Sequence, residues 1–142
     1  MGKKRIVTKK SAAGEGKSRK QTFASKKRID TGILAIESTY NNTKAVLSDT
    51  KGNVVAWSSA GSLGFKGAKK GTPFAAAKIG ETLALRAESM GLKDVHVAVK
   101  GVGAGRESVI RGFTSKGYGI LSIKDITPVP HNGPKPPKPR RV

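Results

Sequence analysis

Residues 31–59 read TGILAIESTYNNTKAVLSDTKGNVVAWSS, and this stretch decides the fold. Thr31 to Thr39 is a strand, with apolar residues on both faces from Ile33 to Ile36. Asn41-Asn42 supplies a turn and Thr43 to Ser48 a second strand. Asp49-Thr-Lys-Gly-Asn makes another turn, and Asn53 to Ser59, centred on Val54, Val55 and Trp57, a third strand. Three strands joined by short turns form an antiparallel meander.

Downstream the period changes. Gly61 to Thr72 is a glycine- and lysine-rich loop, closed by Thr72 as a helix N-cap and Pro73 at the first helical position. Ala76, Ile79, Leu83, Ala87 and Met90 then recur on one helical face, and Gly91 ends the helix. Asp94 to Lys100 alternates, with Val95, Val97 and Val99 on one side. Gly101-Val-Gly-Ala-Gly is a tight loop, and Arg106 to Lys116 a short helix with Val109, Ile110 and Phe113 inward. Gly117 to Thr127 is a last strand carrying Ile120, Leu121, Ile123 and Ile126, which Pro128 and Pro130 stop. The order βββαβαβ predicts an α/β fold: one mixed, roughly five-stranded sheet with flanking helices, in two or three layers. No internal repeat is visible.

The expected organisation is a basic arm over 1–29, an α/β globule over 30–128 and an extended Pro-rich tail over 129–142. The 142 residues carry 28 Lys and Arg against 9 Asp and Glu, a formal charge of +19. Such charge opposes compaction and calls for a polyanionic partner. Eleven basic residues and two acids fall in 1–30, and four basic residues and no acid in 128–142. The arm has too little apolar surface to offset the entropy of ordering, so it reads as disordered. The ends also lack the apolar face that a membrane anchor needs, so RNA or DNA fits better. Cysteine is absent, which excludes disulfides and Cys-based zinc sites and fits a reducing compartment. No stretch is apolar enough to span a bilayer, and no secretory leader follows the basic start.

Lys66, Lys69 and Lys70 lie among four glycines, where backbone N–H groups can approach phosphate; the bland alternative is a flexible surface loop. Gly101-Val-Gly-Ala-Gly-Arg-Glu-Ser resembles a nucleotide loop, but its third glycine comes one residue early for a dinucleotide fingerprint. It could still grip RNA phosphate, with Lys100, Arg106 and Arg111 nearby. Catalysis finds little footing. Glu37, Asp49 and Asp125 are the strand-associated carboxylates, and Asp49 already suits a turn. His96 and His131 are far apart and lack a nucleophile partner. No catalytic residue, metal, cofactor or small-molecule substrate is expected.

The C-terminal run from Pro128 to Val142 is stiffened by alternating proline, so ordering it costs little entropy. Its alternative is a proline-rich ligand for an adaptor domain; the terminal Arg140-Arg141 pair and the missing acids favour RNA.

Four motifs, in order, resemble one family. They are Tyr40-Asn-Asn-Thr, Gly64-Phe-Lys-Gly-Ala-Lys-Lys-Gly-Thr-Pro-Phe-Ala-Ala, Val99-Lys-Gly-Val-Gly-Ala-Gly-Arg-Glu-Ser, and Asp125-Ile-Thr-Pro-Val-Pro-His-Asn-Gly with its closing Arg-Arg-Val. Together they look like ribosomal protein eleven of the small subunit, in its bacterial-type form. The resemblance implies a ribonuclease-H-like fold without that fold's catalytic acids. It implies a structural, non-enzymatic role in the cytoplasmic ribosome: binding small-subunit ribosomal RNA on the platform, near the messenger RNA upstream-pairing cleft. Small-subunit proteins six, seven and eighteen would be neighbours. The expected RNA contacts are Lys66, Lys69, Lys70, Lys100, Arg106, Arg111, His131, Asn132, Lys135, Lys138, Arg140 and Arg141. The chain departs from the pattern at Val102 and Ala104, where the family commonly has prolines. It departs again at Pro134-Lys135, where Cys-Arg is usual, and at Pro139, which interrupts the basic run. Lysine at 135 keeps the charge but not the planar fork of arginine.

Asn132-Gly133 reads as an ordinary turn or as a site of deamidation, because glycine leaves its nitrogen free to attack the preceding side-chain amide. Peptide mapping of aged protein separates the two: isoaspartate at 132 supports the second, and intact Asn132 throughout removes it.

Overall fold

The computed structural model describes residues 28–139, and in it the meander forms as expected. β1 (Thr31–Ser38), β2 (Thr43–Asp49) and β3 (Val54–Ser59) pair antiparallel. Leu34 faces Leu47 and Ile36 faces Ala45, which makes one side of the pair apolar. The Asp49 carboxylate builds the second turn, accepting the N–H groups of Lys51 and Asn53 and the Asn53 side-chain amide, each at 2.9 Å. Asn53 is thus committed to the turn, and the strand starts one residue later than expected.

The second half alternates helix and strand. Thr72 caps α1 (Pro73–Ser89) by accepting the Ala75 N–H at 3.4 Å, and Gly91, at φ +74°, follows its end. β4 (Asp94–Lys100) lies parallel to β1. α2 (Arg106–Thr114) then leads to β5 (Gly119–Asp125), parallel to β4. The sheet order is β3-β2-β1-β4-β5, the mixed five-stranded α/β arrangement expected. α2 ends two residues early because Gly117, at φ +89°, turns the chain and donates to the Thr114 carbonyl at 2.8 Å.

Both helices cover one face of the sheet, so the fold has two layers. Leu34, Ile36, Leu47, Val95, Val97 and Val99 meet Ile79, Leu83, Val109 and Phe113, and all are buried. On the opposite face Ile33, Ala35 and Val46 are only half-buried. β5 is a sheet edge, and Ile120, Leu121 and Ile123 are exposed. The short α2 packs chiefly against α1 and leaves this strand uncovered. The apolar run of the last strand therefore does not join the core.

The helices touch backbone to backbone. A side chain at Gly80 would collide with the Val109 carbonyl oxygen, and one at Gly112 with the Ala77 carbonyl oxygen. This closeness lets nine residues of α2 be held with only Val109, Gly112 and Phe113 buried. Behind them Tyr118 stacks on Phe113 at 4.8 Å and donates its hydroxyl to the Ala84 carbonyl at 2.7 Å. Burial raises the Tyr118 phenol's pKa, and the Glu88 charge adds to the shift.

Gly80→Ala and Gly112→Ala should each lower the unfolding free energy by about 1–3 kcal/mol through overpacking, despite alanine's better helix propensity. Urea denaturation measures this, with the exposed Glu88→Ala as a control expected to stay within about 0.5 kcal/mol.

Candidate nucleic-acid interface

The β1–β2 turn is the hub of one end of the sheet. Thr39 donates its N–H to the Asn42 carbonyl at 2.8 Å, and the buried Ser38 and Thr43 hydroxyls bond at 3.1 Å. Glycines close in on it from two sides. Side chains at Gly101 and Gly103 would strike the Ser38 and Thr39 carbonyls, and one at Gly105 the Thr43 hydroxyl and the Ala76 methyl. From the other side, a side chain at Gly71 would strike the Tyr40 carbonyl. Gly103 also donates to the Ser38 carbonyl at 2.9 Å.

This bears on the glycine loop at 101–105, read from sequence as able to grip phosphate. Its glycines face the protein's own backbone, and their smallness is used for internal approach. The loop is pinned without the prolines that Val102 and Ala104 replace. The loop at 61–72 differs. Gly64 and Gly67 adopt positive φ (+92° and +61°) with open space where a side chain would be. Lys69 and Lys70 lie on a 3-10 turn, Gly67–Gly71, and Lys66 precedes it. Lys66 and Lys69 are exposed and Lys70 is half-buried. None of the three side chains has a hydrogen-bond or ion-pair partner among the described residues.

Topology gathers the remaining charge here. The C-terminal ends of β1, β3, β4 and β5 share this end with the starts of both helices, the edge where open α/β sheets commonly bind ligands. Lys100, exposed, ends β4. Beside it on β1 lies Glu37, whose pKa is lowered mainly by its bond from Lys44 at 2.8 Å, with the Lys100 charge adding to this. These three side chains ring a shallow hollow floored by Ala35, Val46 and Ala98.

Two expected RNA contacts are otherwise engaged. Arg106 donates to the Gly101 carbonyl and, at 2.6 Å, to the Asp125 carboxylate. Asp125 in turn accepts the Thr127 hydroxyl at 2.6 Å and the Thr127 N–H at 2.9 Å, and Thr127 accepts the Gly101 N–H at 3.1 Å. The Thr127 hydroxyl first, and then Arg106, hold the Asp125 carboxyl far below the usual carboxylate range. This network ties the exit of the tail to the 101–105 loop. Arg111 points to solvent one helical turn beyond Glu107, with which it pairs at 3.4 Å. A pair so exposed leaves Arg111 available to a stronger anion.

Beyond Thr127 the described tail has no regular element and is exposed from Pro128 to Pro139, including His131, Lys135 and Lys138. Asn132 sits at φ +55°, a left-handed position that asparagine tolerates in a turn. Arg140, Arg141 and residues 1–27 of the N-terminal arm lie outside the described residues, whereas Ile29, expected in the arm, packs against the core and donates its N–H to the Met90 carbonyl at 3.2 Å. Sequence reasoning passed over two aromatics at this end, Tyr40 in the hub turn and Phe74 in the first turn of α1, both exposed. The available signal was that Phe74 falls off the Ala76–Ile79–Leu83 stripe in a chain with only 5% aromatics.

Among the described residues no three His, Asp or Glu side chains group closely enough to hold a metal ion. His96 bonds Ser122 on the open sheet face at 2.8 Å. No helix among them is long and apolar enough to cross a membrane.

A mixed α/β sheet that collects a basic tail and lysines unpaired among the described residues at one end suits a polyanion-binding protein of the ribonucleoprotein type. The family model described as Ribosomal protein S11 matches residues 32–141. The chain belongs to that family: structural proteins of the small ribosomal subunit that bind its RNA in the cytoplasmic ribosome, beside other ribosomal proteins.

Asp125→Asn should free the tail from Thr127 onward, seen as sharpened backbone NMR signals, while the sheet's signals stay in place. Because the carboxyl's folded pKa is depressed, the tie should persist through the ordinary carboxylate range near pH ~4 and open only in stronger acid.

Proposed function

We propose that this chain is a fixed structural constituent of the small-subunit platform. There it would order the large RNA of the subunit near the cleft where messenger RNA pairs upstream of the start codon. The observation that carries this reading is that the side chains of Lys66, Lys69 and Lys70 have no partner among the described residues and lie at the end of the sheet from which the basic tail leaves. Lys100, His131, Asn132, Lys135, Lys138, Arg140 and Arg141 would extend the contact along the RNA, with Arg111 at its margin. Arg106 would act mainly by holding the tail exit. Small-subunit proteins six, seven and eighteen would be the neighbours, and the uncovered β5 and open sheet face leave apolar surface for such contacts. No catalysis is proposed. The carboxylates at this end are occupied: Asp125 by Arg106 and Thr127, and Glu37 by Lys44.

Binding would work through counterion release together with recognition of RNA shape, without base reading at each contact. If about six to ten phosphates are neutralised, affinity should fall roughly 10³–10⁵-fold between 50 and 200 mM salt, which filter binding measures. Lys69→Ala should reduce the salt slope by about one phosphate contact. Sedimentation of a lysate on a sucrose gradient tests the assignment in cells. Stoichiometric protein with the small subunit after a salt wash supports it; protein at the top of the gradient or with the chromosome moves DNA binding to first place.

A further inference from the structure

Two aromatic side chains at the basic end are left unused by the core. Phe74 is 65% exposed and Tyr40 80% exposed. They are neighbours through the backbone: Gly71 packs on the Tyr40 carbonyl, and Phe74 follows three residues later. Phe74 is supported from below. Its ring meets Phe65 edge-to-face at 6.0 Å and 80°, and Phe65 packs against the core. The Lys78 ammonium sits 5.7 Å from the Phe74 ring centre. Phe65 and the Lys78 ammonium thus hold the ring, and most of the side chain stays exposed.

The surroundings select the occupant. Lys66, Lys69 and Lys70 lie in the loop that leads into α1 and have no partners among the described residues, whereas Glu81 is bonded by Lys78 at 2.9 Å and Glu37 by Lys44. An apolar protein surface would gain nothing from three ammonium groups, and an acidic peptide would not need flat rings. A nucleotide needs both, a π face for its base and cations for its phosphates. Within a duplex the base faces are already stacked, so the base concerned is unpaired or turned out.

We propose that Phe74, with Tyr40 beside it, is a stacking platform for an unpaired base of ribosomal RNA, whose adjoining phosphates are held by Lys66, Lys69 and Lys70. This rests on the reading of this end as the RNA contact, and it adds a recognition element that charge alone does not supply. Stacking tolerates any base, so the platform selects a local RNA shape, an extruded nucleotide beside a phosphate turn, over a sequence.

The test uses the full chain and an in vitro transcript of the small-subunit ribosomal RNA. Affinities and salt slopes are measured by filter binding for wild type, Phe74→Leu, Tyr40→Leu, Phe74→Trp and Lys69→Ala, with circular dichroism on each. Ultraviolet cross-linking of wild type in intact subunits follows. Phe74→Leu should weaken binding about ten- to a hundred-fold at an unchanged salt slope, and Phe74→Trp should restore it. Cross-linking should join the Phe74 peptide to a nucleotide. If Phe74→Leu and Tyr40→Leu bind within twofold of wild type while Lys69→Ala weakens, the platform is overturned and the RNA contact stands. If wild type itself fails to prefer the transcript over duplex DNA, the underlying reading fails and takes the platform with it. A Phe74→Leu loss that tryptophan does not rescue, or a cross-link to protein instead of nucleotide, also overturns it.

Discussion

The close approach of glycine backbones to the Ser38–Thr43 turn is the constraint on which the rest depends. Gly101, Gly103 and Gly105 press on it from the β4–α2 loop and Gly71 from the lysine loop. Gly71, Gly101 and Gly103 bring main chain against main chain and Gly105 meets side chains, and in each case one added methyl group would enter a carbonyl oxygen or hydroxyl. Both loops are thereby anchored to one turn, and the side chains they carry occupy one surface. The buried Ser38 and Thr43 hydroxyls bond each other, so the tight packing leaves neither hydroxyl unpaired.

The same device, repeated between Gly80 and Gly112, accounts for the lopsided architecture. Two helices that meet through their backbones cover one face of β1, β2, β3 and β4, while β5 and the opposite face lack that cover. An enzyme of this size would find the uncovered apolar surface a liability. A member of a ribonucleoprotein is concentrated against neighbours that cover it.

Charge is sorted along similar lines. Part of the positive charge is neutralised internally, and these pairs do mechanical work: Arg106 with Asp125 fixes where the tail leaves, and Lys44 with Glu37 closes the end of the β1–β2 ladder. The lysines of the 66–70 loop have no such pairing among the described residues. For a chain with a formal charge of +19, that division separates side chains that shape the protein from those left for a polyanion.

Much of this was legible in the sequence. The alternation in 31–59 and 94–100, the Thr72-Pro73 cap and the stripe from Ala76 to Ala87 gave the elements within a few residues, because period and capping are local properties. The lysine loop and the tail declared themselves by composition. Three things did not show. That the apolar residues of β5 stay outside the core was hidden, since hydrophobicity cannot say whether a helix will reach over a strand. Arg106 looked like a phosphate contact, since its partner Asp125 is nineteen residues away. The glycines at 101–105 looked like a ligand cradle, since the same smallness serves a phosphate and a carbonyl equally. Sequence alone therefore determined the strands, the helices and the excess of positive charge. Which charges stay free, which glycines face inward and which aromatics stand exposed were decided by tertiary structure, because those depend on distances between segments that no local pattern encodes.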